Sequence, residues 1–299
     1  MKLRRLSQWP VFWFIWLSVC GSLLAGPPDR TSKLRRIIDW SGEASLHARI
    51  YVGTGLFYLM PGSSRRVMEG EFLFRKIPPK IRYEVVGDKG QLRIRFTDKP
   101  SKKKVEEEEQ STAISSLDEI YENECILRFT PKIPISLILE FGVVKGEVEL
   151  GGLQMEKLKL SLGVSGLDVN FQKPNPIMMK EIEVEAGVGK LQLENLGNAN
   201  FSYFKFDGGL GSYAVDLSGD FRQNADVDIN LGLGKLRLYL PRSIGVRLKV
   251  NKSFLTSFSI DDVYKKNNYY FNENWGKAPY SMDIRIDAGI GRISIEWVD

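Results

Sequence analysis

One short pattern recurs through the C-terminal half of this sequence and limits what the chain can become. It is a run of alternating apolar residues, a Gly-X-Gly triplet, then alternating apolar residues again. The clearest copy runs through Ile182, Val184 and Ala186, turns at Gly187-Val188-Gly189, and continues through Leu191 and Leu193. Further copies centre on Gly209-Leu210-Gly211, Gly232-Leu233-Gly234 and Gly289-Ile290-Gly291. Looser ones surround Gly142 to Gly146 and Gly163 to Gly166, and a distant one is Gly53-Thr54-Gly55. Corner glycines at 142, 163, 187, 209 and 232 give steps of 21, 24, 22 and 23 residues. A step this constant marks stacked, similar units.

The physics of the unit is simple. Period-two alternation puts every second side chain on one face of a strand. Glycine tolerates a positive φ, so the chain can turn at each triplet, and the apolar residue between the glycines is expected to point inward. One unit cannot bury its apolar face alone, but a stack of units can. The expected fold is therefore all-β: a stacked, single-stranded β-solenoid like a right-handed β-helix. Its structural corners are Gly187, Gly189, Gly209, Gly211, Gly232, Gly234, Gly289 and Gly291. The open ends of such a stack need caps, so atypical termini are expected.

Two segments interrupt the rhythm. Residues 99–124 carry Lys102-Lys103-Lys104 followed by Glu106-Glu107-Glu108-Glu109, which reads as a charged, disordered excursion. It divides a region over 39–98 from the repetitive body over 125–299. The second interruption, 254–281, is rich in aromatic residues, among them Tyr269, Tyr270 and Trp275, and it delays the last repeat. Tyr and Trp offer stacking faces to sugars or proteins, so these three are the candidate partner contacts. The alternative is that the insert folds back and caps the last coil.

Ahead of the body lies a leader. Lys2, Arg4 and Arg5 precede an uncharged, mostly apolar run from Trp9 to Ala25, the grammar of a secretory signal over 1–25. Three fates stay open: cleavage after Gly21 or Ala25, lipidation at Cys20, or an uncleaved anchor. Each puts the body outside the cytoplasm, in the periplasm or cell envelope. Apart from Cys20, the chain has one further cysteine, Cys125, in a strand-like run, so no internal disulfide framework is available and Cys125 is expected to be a small buried residue.

The chemistry is sparse. His47 is the one histidine, with no nucleophile motif beside it, which leaves no triad and too few ligands for a histidine-based zinc site. Gly209-Leu210-Gly211-Ser212-Tyr213-Ala214 matches a dinucleotide-binding string, but strand and turn residues follow it where a helix is required. The same stretch approaches a calcium-binding repeat, with Tyr213 where an aspartate belongs. No catalytic residue, cofactor or metal is expected. Basic residues number 42 against 37 acidic, a mild excess that does not call for nucleic acid. Carboxylates such as Asp216, Asp228 and Asp287 leave open a polysaccharide-active enzyme if two of them face one cleft.

The runs Glu185–Leu191, Leu231–Pro241 and Ala288–Ile293 resemble the toast-rack family, extracytoplasmic β-solenoids of bacteria that include adhesin-type and envelope-stress (cell-wall-active antibiotic response, Lia-type) proteins. Residues 39–98, with Gly53-Thr54-Gly55-Leu56 and Gly90-Gln91-Leu92, are similar to that family's N-terminal module. The resemblance implies the solenoid fold, no catalytic residues, and a capping role for the aromatic insert. The expected function is an exported, non-catalytic scaffold or interaction module with an envelope protein or polysaccharide as partner. A Lia-type sensing component and a polysaccharide-active β-helix enzyme are the alternatives.

Overall fold

The computed structural model of the chain describes residues 31–97 and 123–299. The leader, Cys20 and nearly all of the charged excursion lie outside them. The described residues form one large sheet of sixteen strands and a single turn of 3-10 helix at Leu196–Ala199. The solenoid body consists of seven long strands: β2 (Ser45–Pro61), β7 (Ile135–Glu149), β8 (Met155–Asn170), β9 (Met179–Glu194), β10 (Phe201–Asp216), β11 (Ala225–Pro241) and β16 (Ser281–Val298). They pair in parallel in that order. Each is bent at its corner glycine, so one long strand supplies most of one coil.

The inward face is continuous from coil to coil because the register is. Leu160, Val184, Phe206, Ile229 and Ile286 form one file before the corner. Leu167, Leu191, Tyr213, Leu236 and Ile293 form another after it. All ten are buried. Alternation of apolar and polar residues along each strand is therefore the direct cause of the core: shifting any strand by one residue would turn its apolar set to water.

The ends are built out of chain order. β16 lies between β11 and β12 (Gly245–Lys252), so the last strand of the sequence is not the last coil in space. β12 pairs with the first half of β16 and β13 (Thr256–Ser259) with its second half, so together they make the terminal coil. This explains why the step from Gly232 to Gly289 is 57 residues although the two glycines stack directly. The aromatic insert contributes β13, and then a short hairpin of β14 (Tyr264–Lys266) and β15 (Tyr269–Phe271) that lies along β12. The buried Asn272 side chain accepts from the Val246 N–H at 2.8 Å and donates to the Ile244 carbonyl at 2.7 Å, which ties the insert to β12.

The other end repeats the device. β5 (Lys89–Phe96) pairs with the first half of β2 and β6 (Glu124–Phe129) with its second half. Thr97 and Asn123 lie against Gly53 and Gly55 at the corner of β2. β1 (Ser32–Asp39) and β3 (Arg66–Phe74) add antiparallel strands beyond β6, and β4 (Lys80–Val86) adds one beyond β5. Antiparallel strands at both ends close off the parallel stack, as an open edge requires. The turns opposite the corners are held by asparagines. Asn175, fully buried, donates to the carbonyls of Met155 and Ala199 at 2.7 and 3.0 Å and accepts from the Met155 N–H at 3.0 Å. Cys125 is buried and free, and burial first, then the Glu124 charge, pushes its thiol well above the ordinary value.

Candidate functional site

The corners stack into a single face. Gly53, Gly142, Gly163, Gly187, Gly209, Gly232 and Gly289 form a column in which each lies against the carbonyl of the one before it. A Cβ on Gly163, Gly187, Gly209 or Gly232 would stand only 2.5–2.9 Å from that oxygen, so nothing but glycine fits. Two residues on, Gly189, Gly211, Gly234 and Gly291 form a second column, where a Cβ would overlap the carbonyl oxygen of the coil below. Gly189, Gly234 and Gly291 also have φ of 134°, 154° and 146°, which an L side chain rarely adopts.

The residue between the glycines points out, not in. Val164, Val188, Leu210, Leu233 and Ile290 are 43–50 % exposed. The physical reason lies in the bend. Inward positions run 204, 206, 208 before the corner and 213, 215 after it, so the alternation changes phase there. A change of phase puts two consecutive residues outside, and these are the first glycine and X. The inward position that follows is filled by the second glycine because the backbone of the neighbouring coil occupies the space.

The outcome is a straight apolar ridge along the solenoid. In register it runs Val143, Val164, Val188, Leu210, Leu233, Ile290. The turn opposite Ile290 in the terminal coil carries Phe254, 93 % exposed, and Leu255. Seven layers at about 4.8 Å give a ridge about 29 Å long. Beside it the glycine column leaves an open trough whose two main parts hold about 560 and 690 Å³ and meet at Asp207. The floor is glycine backbone, and Glu140, Glu185, Asp207 and Asp287 stand along the far side.

The charges along the trough are largely compensated. The outward file Lys159, Glu183, Lys205, Asp228, Arg285 alternates in sign over five coils. Lys159 Nζ lies 3.0 Å from Glu183 and 3.3 Å from Glu185, Lys205 Nζ is 2.7 Å from Asp207, and Arg285 Nε is 2.7 Å from Asp228. Burial raises the Asp207 carboxyl, but the hydrogen bonds from Lys205 and Asn230 outweigh it and hold the group below the usual carboxylate range. A general acid for glycoside cleavage needs the opposite shift. His47 is exposed on β2, opposite Ser136, but Ser136 Oγ donates to Glu156 at 3.3 Å rather than to the imidazole. That is not the order of contacts that activates a serine. Among the described residues no group of three or more His, Cys, Asp or Glu side chains is arranged to hold a metal, and no helix is long and apolar enough to cross a membrane.

The aromatic candidates divide. Tyr269 and Trp275 clasp the Arg247 guanidinium, with ring centroids 5.2 and 5.1 Å from it, and Arg247 pairs with Asp283. Phe271 joins them, stacked on Tyr264 at 5.1 Å. Tyr270 faces the other way, against Phe258 at 5.4 Å and the core. Strand alternation separates neighbours at 269 and 270, so the three do not share one surface. The ridge was missed in the sequence, although its signal was there: an apolar residue between two glycines in four copies, at Val188, Leu210, Leu233 and Ile290.

A family model described as the N-terminal domain of toast_rack matches residues 27–194 and 174–239, well over half of the chain. No curated protein matches. Among solved structures, one from Clostridium sporogenes, provisionally described as a cell adhesion protein, is 22 % identical, covers 90 % of this chain and 100 % of its own, and has a TM-score of 0.47. One from Bacteroides fragilis, provisionally described as an adhesin, is 12 % identical, covers 90 % and 99 %, and has a TM-score of 0.35.

Proposed function

We propose that this chain, which belongs to the toast-rack family, is an exported, non-catalytic interaction module of the cell envelope, adhesin-like in action, that meets its partner along the corner face. The observation that carries this reading is the ridge. A soluble protein gains nothing from seven successive layers of half-exposed to fully exposed Val, Leu, Ile and Phe in one line, whereas a contiguous apolar strip of this kind is what a docking surface presents. The trough beside it is long, open and floored by backbone, which suits an extended partner better than a small substrate. Export rests on the leader read from the sequence. Adhesin-like names among the solved structures agree with this reading but are names of those proteins.

Two measurements test it. Intact mass and fractionation of the full chain made in a bacterial host should give a product lacking the leader, or acylated at Cys20, outside the cytoplasm. Retention of the whole leader on a cytoplasmic protein would sink the export half. For the binding half, the purified chain is titrated against isolated envelope material beside Leu210→Ser/Leu233→Ser and Trp275→Ala. Loss of binding in the ridge variant with binding kept in Trp275→Ala is expected. The reverse would move the contact to the aromatic end.

A further inference from the structure

The charged file that alternates in sign along the body does not do so at its N-terminal end. In register, the same file continues from Lys159 through Ile138 to Arg49, Arg93 and Arg82, on β7, β2, β5 and β4. The neighbouring file passes through Tyr51 to Arg95 and Lys80. Five cationic side chains thus occupy a block three strands wide and two outward positions deep, about 10 by 7 Å. All five are exposed on the same face, because their neighbours Ile50, Leu92, Ile94 and Phe96 point into the core.

None of the five has an ion-pair partner among the described residues, although the chain pairs such groups repeatedly elsewhere. Arg82 stands directly opposite Arg93, and Arg93 directly opposite Arg49. Like charges directly across a strand pair are destabilising unless something neutralises them. The block is not flat. Arg49, Lys80, Arg82, Arg93 and Arg95 line one cavity of about 440 Å³, which continues into the trough at Tyr51 and Glu140. Arg95 is held over the Tyr51 ring, 5.0 Å from its centroid, and Glu140 is the one acidic residue in the lining.

We infer that this cavity is a binding site for a multivalent anion carrying two or more phosphate-type groups within about 10 Å of one another. The span is that of three adjacent strands. Arginine forks match phosphate oxygens in pairs, and four arginines on neighbouring strands present several such forks at once. A single orthophosphate can engage only part of the block. The site lies at the opposite end of the trough from Phe254 and is independent of the ridge proposed as the partner surface.

The test is calorimetric titration of the full chain with sodium tripolyphosphate and with orthophosphate at matched ionic strength, repeated at higher salt. Tripolyphosphate is expected to bind at least ~10-fold more tightly, with an affinity that falls steeply as salt rises. Arg93→Gln should weaken that binding by about 10-fold and at the same time raise the urea midpoint of the free protein, since it removes two like-charge contacts. A structural arginine would lower the midpoint instead. Equal affinities for the two anions, unchanged binding in both Arg93→Gln and Arg49→Gln, or a lowered midpoint in Arg93→Gln would overturn the inference. So would a silent wild type whose Glu106→Gln/Glu107→Gln/Glu108→Gln/Glu109→Gln variant binds, for then the chain's own acidic run is the occupant. Vesicles containing phosphatidylglycerol separate the two sources of the same chemistry. Co-sedimentation that tripolyphosphate reverses identifies a lipid headgroup, and binding of soluble tripolyphosphate alone identifies a free polyphosphate.

Discussion

Replacing Gly234 by alanine tests the corner most directly, because one added carbon meets two separate obstacles. Gly234 has φ of 154°, and a non-glycine residue at positive φ costs about 1–2 kcal/mol. Its Cβ would also overlap the carbonyl oxygen of Gly211 in the coil below. Relief requires β10 and β11 to part by about 1 Å at the corner, which takes the adjacent inter-coil hydrogen bonds out of range. Two such bonds at about 1 kcal/mol each bring the total to about 3–4 kcal/mol. That is a large share of a typical domain's stability of about 5–15 kcal/mol. Leu233→Ala, one residue away, is the control. Its side chain is 48 % exposed, so the loss should be about 1 kcal/mol or less. Urea unfolding followed by far-UV circular dichroism measures both. If Gly234→Ala unfolds within about 1 kcal/mol of wild type, or Leu233→Ala costs as much as it does, the account of the corner as a backbone-on-backbone contact is wrong.

Two further outcomes follow from the same geometry. Asn175→Ala should cost about 2–4 kcal/mol in urea unfolding, because it strands the buried backbone groups of Met155 and Ala199 that the amide holds; a change below about 0.5 kcal/mol would show that those groups find other partners. Burial works against ionised Glu43, but hydrogen bonds from Tyr83 and Ser41 outweigh it and lower its pKa from 4.5 to about 2. A pKa lowered by folding stabilises the native state above the unfolded value, so wild type should lose this contribution as pH falls from 4.5 toward about 2. Glu43→Gln should be less stable at neutral pH and flatter over that window, and parallel pH profiles of the urea midpoint for the two proteins would contradict the assignment.

The division between what the sequence determined and what tertiary structure decided follows the range of the forces involved. Strand alternation and the glycine corners are local. Each depends on a residue, its two neighbours and the backbone angles they permit, so Ile182–Leu193 reads as a bent strand from its letters alone, and Cys125 reads as a core residue. The repeat spacing follows from them, and with it the solenoid. The order of the strands is not local. Nothing within Ser281–Val298 says that it inserts between β11 and β12, or that Gly53 stacks on Gly142 across 89 residues. Those choices are made by which apolar edge is left uncovered once the other coils have formed. The direction of the X residue belongs to the same class: the alternation changes phase at the bend, which leaves X on the outer face. The five cations at the N-terminal end are scattered over residues 49–95, and only the pairing of β2, β5 and β4 brings them into one cavity.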